Sequence, residues 1–184
     1  MIIENKGIES MIITNQPQGF NYVAQSNAKI LILGSMPSQL SLEKQQYYAH
    51  PRNGFWQIMA RLLDFSIAMN YPEKLLALQQ HHIALWDVIA SCQRQGSLDS
   101  DIKQHSIISN DFALFFQHHH AIEHIFFNGN MASQEYHKRV LPNLNQRWQA
   151  LPCTRLPSTS PAMASLNIEQ KLLIWAEIKR VIEC

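Results

Sequence analysis

Apolar residues in this chain fall into short unbroken runs separated by stretches of helical spacing, the pattern of buried strands alternating with amphipathic helices. Residues 29–34 are apolar after the first position and close on Gly34, as a strand covered on both faces does. The runs 83–88 and 124–127, and a briefer 154–156, predict three more strands. Helical spacing appears over 53–63 (Phe55, Trp56, Ile58, Met59, Leu62, Leu63), 72–80 (Leu75, Leu76, Leu78) and 106–117 (Ile107, Ile108, Phe112, Phe115, Phe116). It returns over 131–140 and over 168–182, where Leu172, Trp175 and Ile178 or Ile182 form the apolar face. Residues 1–28 show no period and read as an irregular arm with one short helix. This alternation predicts an α/β fold around a mostly parallel sheet.

The length of 184 residues suits one domain spanning 1–184, and 16% charged against 46% apolar residues excludes long disordered or polyelectrolyte segments. Cys92, Cys153 and Cys184 are widely spaced, so neither a disulfide framework nor a four-thiolate cluster is expected, and a reducing cytoplasm fits. No basic leader with an apolar core and no run of ~18 apolar residues is present, which predicts a soluble protein without a membrane span. The formal net charge of +1 first argues against a nucleic-acid partner. It hides a split: residues 1–137 carry 8 basic and 11 acidic side chains, and residues 138–184 carry 7 and 3.

In open parallel sheets ligands bind beyond the carboxyl ends of the strands, so the residues following each strand are the candidates for chemistry. They are GSMPS (34–38), Asp87, Asn128-Gly129-Asn130 and the 157–161 segment with Ser158, Thr159 and Ser160. Together with YYAHPRNGFW (47–56), FFNG (126–129) and LPSTSPA (156–162), the first of these blocks resembles the uracil-DNA glycosylase superfamily. The chain looks most like its family 6, the hypoxanthine-DNA glycosylases, with the mismatch-specific uracil-DNA glycosylases as cousins. The resemblance spans about residues 29–178 and implies a three-layer α/β/α fold with a central, mostly parallel four-stranded sheet. It also implies a monofunctional enzyme that flips a deaminated base out of DNA and hydrolyses its N-glycosidic bond without metal or cofactor.

Each block then has an expected task. Gly34, Ser35, Met36 and Pro37 line the base pocket, and Tyr48 stacks on the flipped base, an interaction worth ~1–3 kcal/mol. Asn128 ends an apolar strand, and its amide offers both donor and acceptor to the carbonyl and N–H edge shared by hypoxanthine and uracil. The cousins carry an Asn where this chain has Met36. The family 6 resemblance instead implies Asn53 as the catalytic amide, orienting water or facing the cationic sugar, with helix capping as its alternative use. His50, Arg155, Ser158, Thr159 and Ser160 are expected on DNA phosphates, with the basic C-terminal segment adding attraction. Leu156 stands where some relatives place a histidine.

Other candidates rank lower. His118, His119, His120 and His124 are read as a solvated helix end rather than a metal site, and Asp87 as pocket lining or a helix cap below the asparagines. The main expectation is a monomeric cytoplasmic repair enzyme acting on DNA that contains deaminated bases, hypoxanthine first. Uracil in mismatches is the alternative substrate. A catalytically weak lesion-binding module, suggested by Met36 and Leu156, is the alternative of another class.

Overall fold

A computed structural model of the chain describes residues 18–183, so the first part of the expected N-terminal arm lies outside the described residues. In chain order the elements are β1 (Ile30–Gly34), α1 (Gln39–Lys44), α2 (Phe55–Leu62), α3 (Tyr71–Gln80), β2 (Ile83–Asp87), β3 (Ile89–Ser91) and β4 (Ile108–Ser109). They continue with α4 (Phe112–His118), β5 (His124–Asn128), α5 (Asn130–Glu135), α6 (Gln146–Gln149), β6 (Cys153–Leu156), α7 (Ile168–Trp175) and α8 (Glu177–Glu183). Four strands form one sheet in the order β2-β1-β5-β6, every pair parallel, while β3 and β4 make a small antiparallel pair beside it.

Side chains alternate across a strand, and the continuous apolar runs therefore feed two cores. Ile30, Ile32, Ile83, Leu85 and Phe126 face Phe55, Ile58 and Met59 of α2, Trp175 of α7 and Ile178 of α8. Leu31, Leu33, Trp86, Ile125 and Phe127 face Phe112, Phe115 and Phe116 of α4, with Tyr136 and Trp148 completing that layer. The result is the expected three-layer α/β/α architecture. Residues 18–25 run alongside the sheet before a turn at 26–27, and Val23 exchanges two backbone hydrogen bonds with Leu85 (2.9 and 2.8 Å), occupying part of the free edge of β2.

Three helix expectations are corrected. The 106–117 segment is helical only from Phe112, because Asp111 accepts from the Leu114 N–H at 2.9 Å and starts the helix there, leaving Ile108 in β4 and 58% exposed. The 131–140 helix starts one residue earlier, ends at Glu135 and widens into a π-helical turn over Tyr136–Val140. The 168–182 helix is broken at Ala176 into α7 and α8. Periodicity is blind to such ends, since one apolar stripe can continue across a change of pitch.

The strand order sets the site. From β1 the chain moves to β2 on one side, then returns past β1 to β5 on the other, so connections leave β1 and β5 in opposite directions. A crevice opens between their carboxyl ends, at Gly34 and Asn128. No helix among the described residues is long and apolar enough to cross a membrane.

Trp175 links this core to the crevice: it is fully buried against Phe55, and its indole N–H donates to the Pro157 carbonyl at 3.0 Å. Trp175→Ala is expected to lower unfolding free energy by about 3–5 kcal/mol, and Trp175→Phe, which keeps most of the ring but not the donor, by about 1–3 kcal/mol. Urea denaturation with unchanged m-values checks both figures.

Candidate active site

The loop after β1 is wired to a distant segment rather than standing free. Ser35 donates its hydroxyl to Asp99 Oδ1 at 2.7 Å, and the Pro37 carbonyl accepts from the Arg94 guanidinium at 2.6 Å. Met36 is only 7% exposed, packed with Ile89, Cys92, Ile102 and Ile107 in a third small cluster. Ser38 accepts from the Ser41 N–H and caps α1. Residues 92–107 thus form one wall of the crevice, contributing Asp99 and neighbouring polar groups that no strand-end argument singles out.

Gly34 pairs with Asp87 across β1 and β2, and a Cβ on Gly34 would sit 2.3 Å from Asp87 Oδ1 and 3.0 Å from the Tyr48 hydroxyl. Glycine is needed there for space. Asp87 is a more central residue than its rank in the sequence suggests: it lines the cleft and is buried. Burial, and secondarily the Asp99 charge, push its pKa up to about 8, against the pull of Arg94. The only signal for it in the sequence is its position at a strand's carboxyl end.

Tyr48 adopts a left-handed backbone (φ 55°), and its ring stacks on Phe55 with centroids 4.0 Å apart. Phe55 supports one side of the ring, and Tyr48 also lines the cleft. Its hydroxyl is buried and makes no hydrogen bond. Burial and then the Asp87 carboxyl raise its pKa well above the phenol range, with the Asn128 amide opposing the shift.

Asn53 and Asn128 are both engaged by the backbone around them. The Asn53 amide oxygen accepts from the Phe55 N–H at 3.0 Å, fixing the first turn of α2 in an Asx turn. Asn128 accepts from the Thr159 N–H and donates to Thr159 Oγ1, both at 2.8 Å, and so clamps β5 to the 157–161 loop. One N–H and one oxygen lone pair of Asn128 remain uncommitted. Gly129 has φ +101°, and Ser158 packs against it so closely that a Cβ would lie 2.9 Å from Ser158 Cβ.

These elements enclose a cleft of about 1320 Å³. It is lined by every residue the sequence nominates: Gly34, Ser35, Met36, Pro37, Tyr48, His50, Asn53, Asn128, Arg155, Ser158, Thr159 and Ser160. A second, smaller cavity of about 280 Å³ adjoins it through Asn53, Thr159 and Ser160 and contains Arg52 and Lys171. Lys171 is 6% exposed; its ammonium donates to the Met163 carbonyl at 2.8 Å and meets no carboxylate among the described residues, and burial lowers its pKa.

The expected basic face is smaller than the C-terminal count suggests. Arg139, Lys179 and Arg180 are tied to Glu135, Glu183 and Glu177, and Arg147 lies over Trp148. Arg155 stays at the cleft, its guanidinium donating to Asn130 Oδ1 at 2.8 Å; Lys171 of the same basic segment joins it in the adjoining cavity, with Arg52 from a segment the charge count did not link. Of the histidines, His119 is buried against Tyr22 and Phe115, and His124 stacks on Phe126 and reaches Thr154 Oγ1.

A parallel α/β/α sheet whose strand-end cleft joins paired asparagines, a supported tyrosine and a serine-rich loop defines the class: the chain belongs to the uracil DNA glycosylase superfamily, whose family model matches residues 20–179. Within it the chain is similar to the hypoxanthine DNA glycosylase of Methanosarcina acetivorans, at 38% identity over 135 residues, which span 68% of this chain and 84% of the relative. The hypoxanthine DNA glycosylase of Methanosarcina barkeri is 36% identical over 118 residues, spanning 64% of this chain and 73% of the relative. The solution structure of a putative uracil DNA glycosylase from Methanosarcina acetivorans superposes with a TM-score of 0.74 at 35% identity, covering 91% of this chain and 98% of that one.

The Gly129 geometry gives a local test. Gly129→Ala is expected to destabilise the fold by about 1–3 kcal/mol, because φ 101° with ψ 176° is a conformation open essentially to glycine alone, with further disruption where Ser158 is displaced. Thermal unfolding, with amide exchange at Thr159 as the local readout, measures both effects.

Proposed function

We propose that this protein is a DNA repair glycosylase that flips a deaminated base, hypoxanthine first, into the cleft and hydrolyses its N-glycosidic bond. The observation that carries this reading is the convergence of Tyr48, Asn53, Asn128 and the 157–161 loop on one cleft at the strand-order reversal. The names of the Methanosarcina relatives point to the same substrate. A single domain, acting as a cytoplasmic monomer, performs the reaction.

The proposed roles follow from what each group still has to offer. The Tyr48 ring, backed by Phe55, stacks on the extruded base. Asn128 presents its remaining N–H and lone pair to the base's carbonyl and N–H edge, a match that adenine and cytosine, with an amino group beside a bare nitrogen, do not make. Asn53, held by the helix start, directs its amide toward the sugar and the attacking water; an amide is a weak base, so its contribution is positioning.

On the DNA side, Ser158 and Ser160 meet backbone phosphates from the loop, with His50 and Arg155 at the rim, whereas Thr159, expected there too, is 2% exposed and holds Asn128 instead. The Arg52–Lys171 cavity seats a neighbouring phosphate, where a buried ammonium lacking a carboxylate gains its missing counter-charge. A second reading, excision of uracil, draws on the same lactam edge and on the similarity to the solved Methanosarcina acetivorans protein, which bears a uracil DNA glycosylase name.

Single-turnover excision from duplexes carrying one hypoxanthine, uracil or xanthine tests the function directly; hypoxanthine is expected to be released fastest. Binding without release of any of the three means a lesion-binding module instead. Asn53→Ala is expected to cut the excision rate by about 10²–10³-fold without loss of folding. Near-normal rates in that variant would remove Asn53 from the chemistry. Arg52→Ala and Lys171→Met are each expected to lower the slope of log affinity against log salt by about 1, and unchanged slopes would empty the smaller cavity of its phosphate.

A further inference from the structure

Asp87 takes no part in the roles above, and no internal interaction accounts for it. Its side chain is 3% exposed, Oδ2 has no hydrogen-bond partner, and no ion pair reaches it among the described residues. Arg94, the cation whose charge acts on it, spends its guanidinium hydrogen bond on the Pro37 carbonyl. The backbone around it is fixed: the Asp87 carbonyl accepts from Asn110 Nδ2 at 2.8 Å, and the strand pairs with β1. A buried carboxyl without partners is destabilising. Here two such groups converge, because Asp87 Oδ1 and the unpartnered Tyr48 hydroxyl both lie within 3.0 Å of the place a Gly34 side chain would fill. That place belongs to the lining of the large cleft.

We propose that Asp87 is a base-contacting residue whose neutral carboxyl donates to the carbonyl oxygen of the flipped hypoxanthine, on the lone pair that the Asn128 amide leaves free. This rests on the hypoxanthine reading above. The carbonyl oxygen has two lone pairs, of which the Asn128 N–H takes one, and a protonated carboxyl can donate to the other while an ionised one cannot. The proton matters more as the bond breaks. The glycosidic electron pair leaves with the purine, and negative charge spreads onto its carbonyl oxygen. A donor hydrogen bond there strengthens as that charge grows, whereas a carboxylate would oppose it. Water adds to the sugar carbon, and the proton it loses balances the departing base anion.

The surroundings are suited to keeping that proton. Burial first, and the Asp99 charge second, hold Asp87 neutral up to about pH 8. Around it, the hydroxyls of Tyr47, Tyr48 and Tyr71 and the Cys92 thiol are all shifted upward, and Arg94 is the facing cation. Asp99, itself raised by burial, is the other carboxyl of the group. Because the active form is the protonated one, activity is complete below the pKa and lost above it.

The test is single-turnover excision of hypoxanthine between pH 6 and pH 9.5 by the full chain, with infrared detection of the protonated carboxyl. Wild type is expected to show the carboxyl band at pH 7, absent from Asp87→Asn, and a rate falling about tenfold per pH unit above its pKa. Asp87→Asn, which keeps a donor but cannot ionise, is expected to stay within about tenfold of wild type at pH 7 and to show only the alkaline loss that comes from the base, so that the ratio of the two rates falls above the Asp87 pKa. Ionisation of the base itself is common to both proteins and cancels in the comparison. Asp87→Ala, folded by circular dichroism, is expected to lose about 100-fold at every pH. A missing band, a ratio of wild-type to Asp87→Asn rates that stays constant across the pH range, or a wild-type rate in Asp87→Ala overturns the proposal while leaving the function reading intact. No hypoxanthine release by wild type at any pH overturns both.

Discussion

Polar groups at the carboxyl end of the sheet sit where water is scarce, and each must be satisfied by a neighbour or by a ligand. That constraint organises the whole site. Asn128 meets it by clamping Thr159 with two hydrogen bonds, and in doing so fixes the loop that closes one side of the cleft. Ser35 meets it on Asp99, and Arg94 in part on Pro37, which fixes the opposite wall. Among the groups left over, Asp87 Oδ2 and the Tyr48 hydroxyl belong to residues that line the same cleft. Satisfied groups therefore build the frame, and unsatisfied ones mark where a polar ligand completes it.

The frame is rigid because the apolar layers beneath it are continuous. Trp175 packs on Phe55, which lies under Tyr48, while its indole N–H holds Pro157. One buried indole thus touches both the aromatic platform and the loop clamped by Asn128. Misplacing either by an ångström weakens a reaction that depends on alignment rather than on a strong base. The left-handed backbone of Tyr48 belongs to the same arrangement, local strain sustained by the packing of its ring on Phe55.

Much of this was legible in the chain itself. The unbroken apolar runs ending in Gly34 and Asn128 identify central parallel strands, and a strand-end rule then nominates residues that do line one cleft. What was hidden is long-range. Nothing in the spacing of Asp99 or Arg94 reveals that a segment about 60 residues downstream braces the β1 loop, since hydrogen bonds between irregular segments leave no period. Met36 reads as a defect in a catalytic motif, yet it is a packing residue against Cys92. For Asn53 and Asn128 the chain leaves base or sugar contact and backbone capping both open, and each already holds backbone, because the same amide geometry that recognises a base also caps a helix or ties a loop.

Charge is placed as sparingly as polarity. A net charge of +1 gives little long-range attraction to DNA, and most cations beyond residue 137 are tied to acids or laid over aromatic rings. Those left beside the cleft, Arg52, Arg155 and Lys171, lie at its rim or in the adjoining cavity, while its floor combines amides, an aromatic ring and a carboxyl held neutral by burial. A floor without net charge does not attract phosphate into the space meant for a base. Few rim contacts also limit binding to undamaged duplex, because sequence-independent affinity scales with the number of phosphates neutralised. Selectivity for a damaged base then comes mainly from the stacked and hydrogen-bonded interactions made after extrusion, which an undamaged, paired base does not reach without the cost of unstacking.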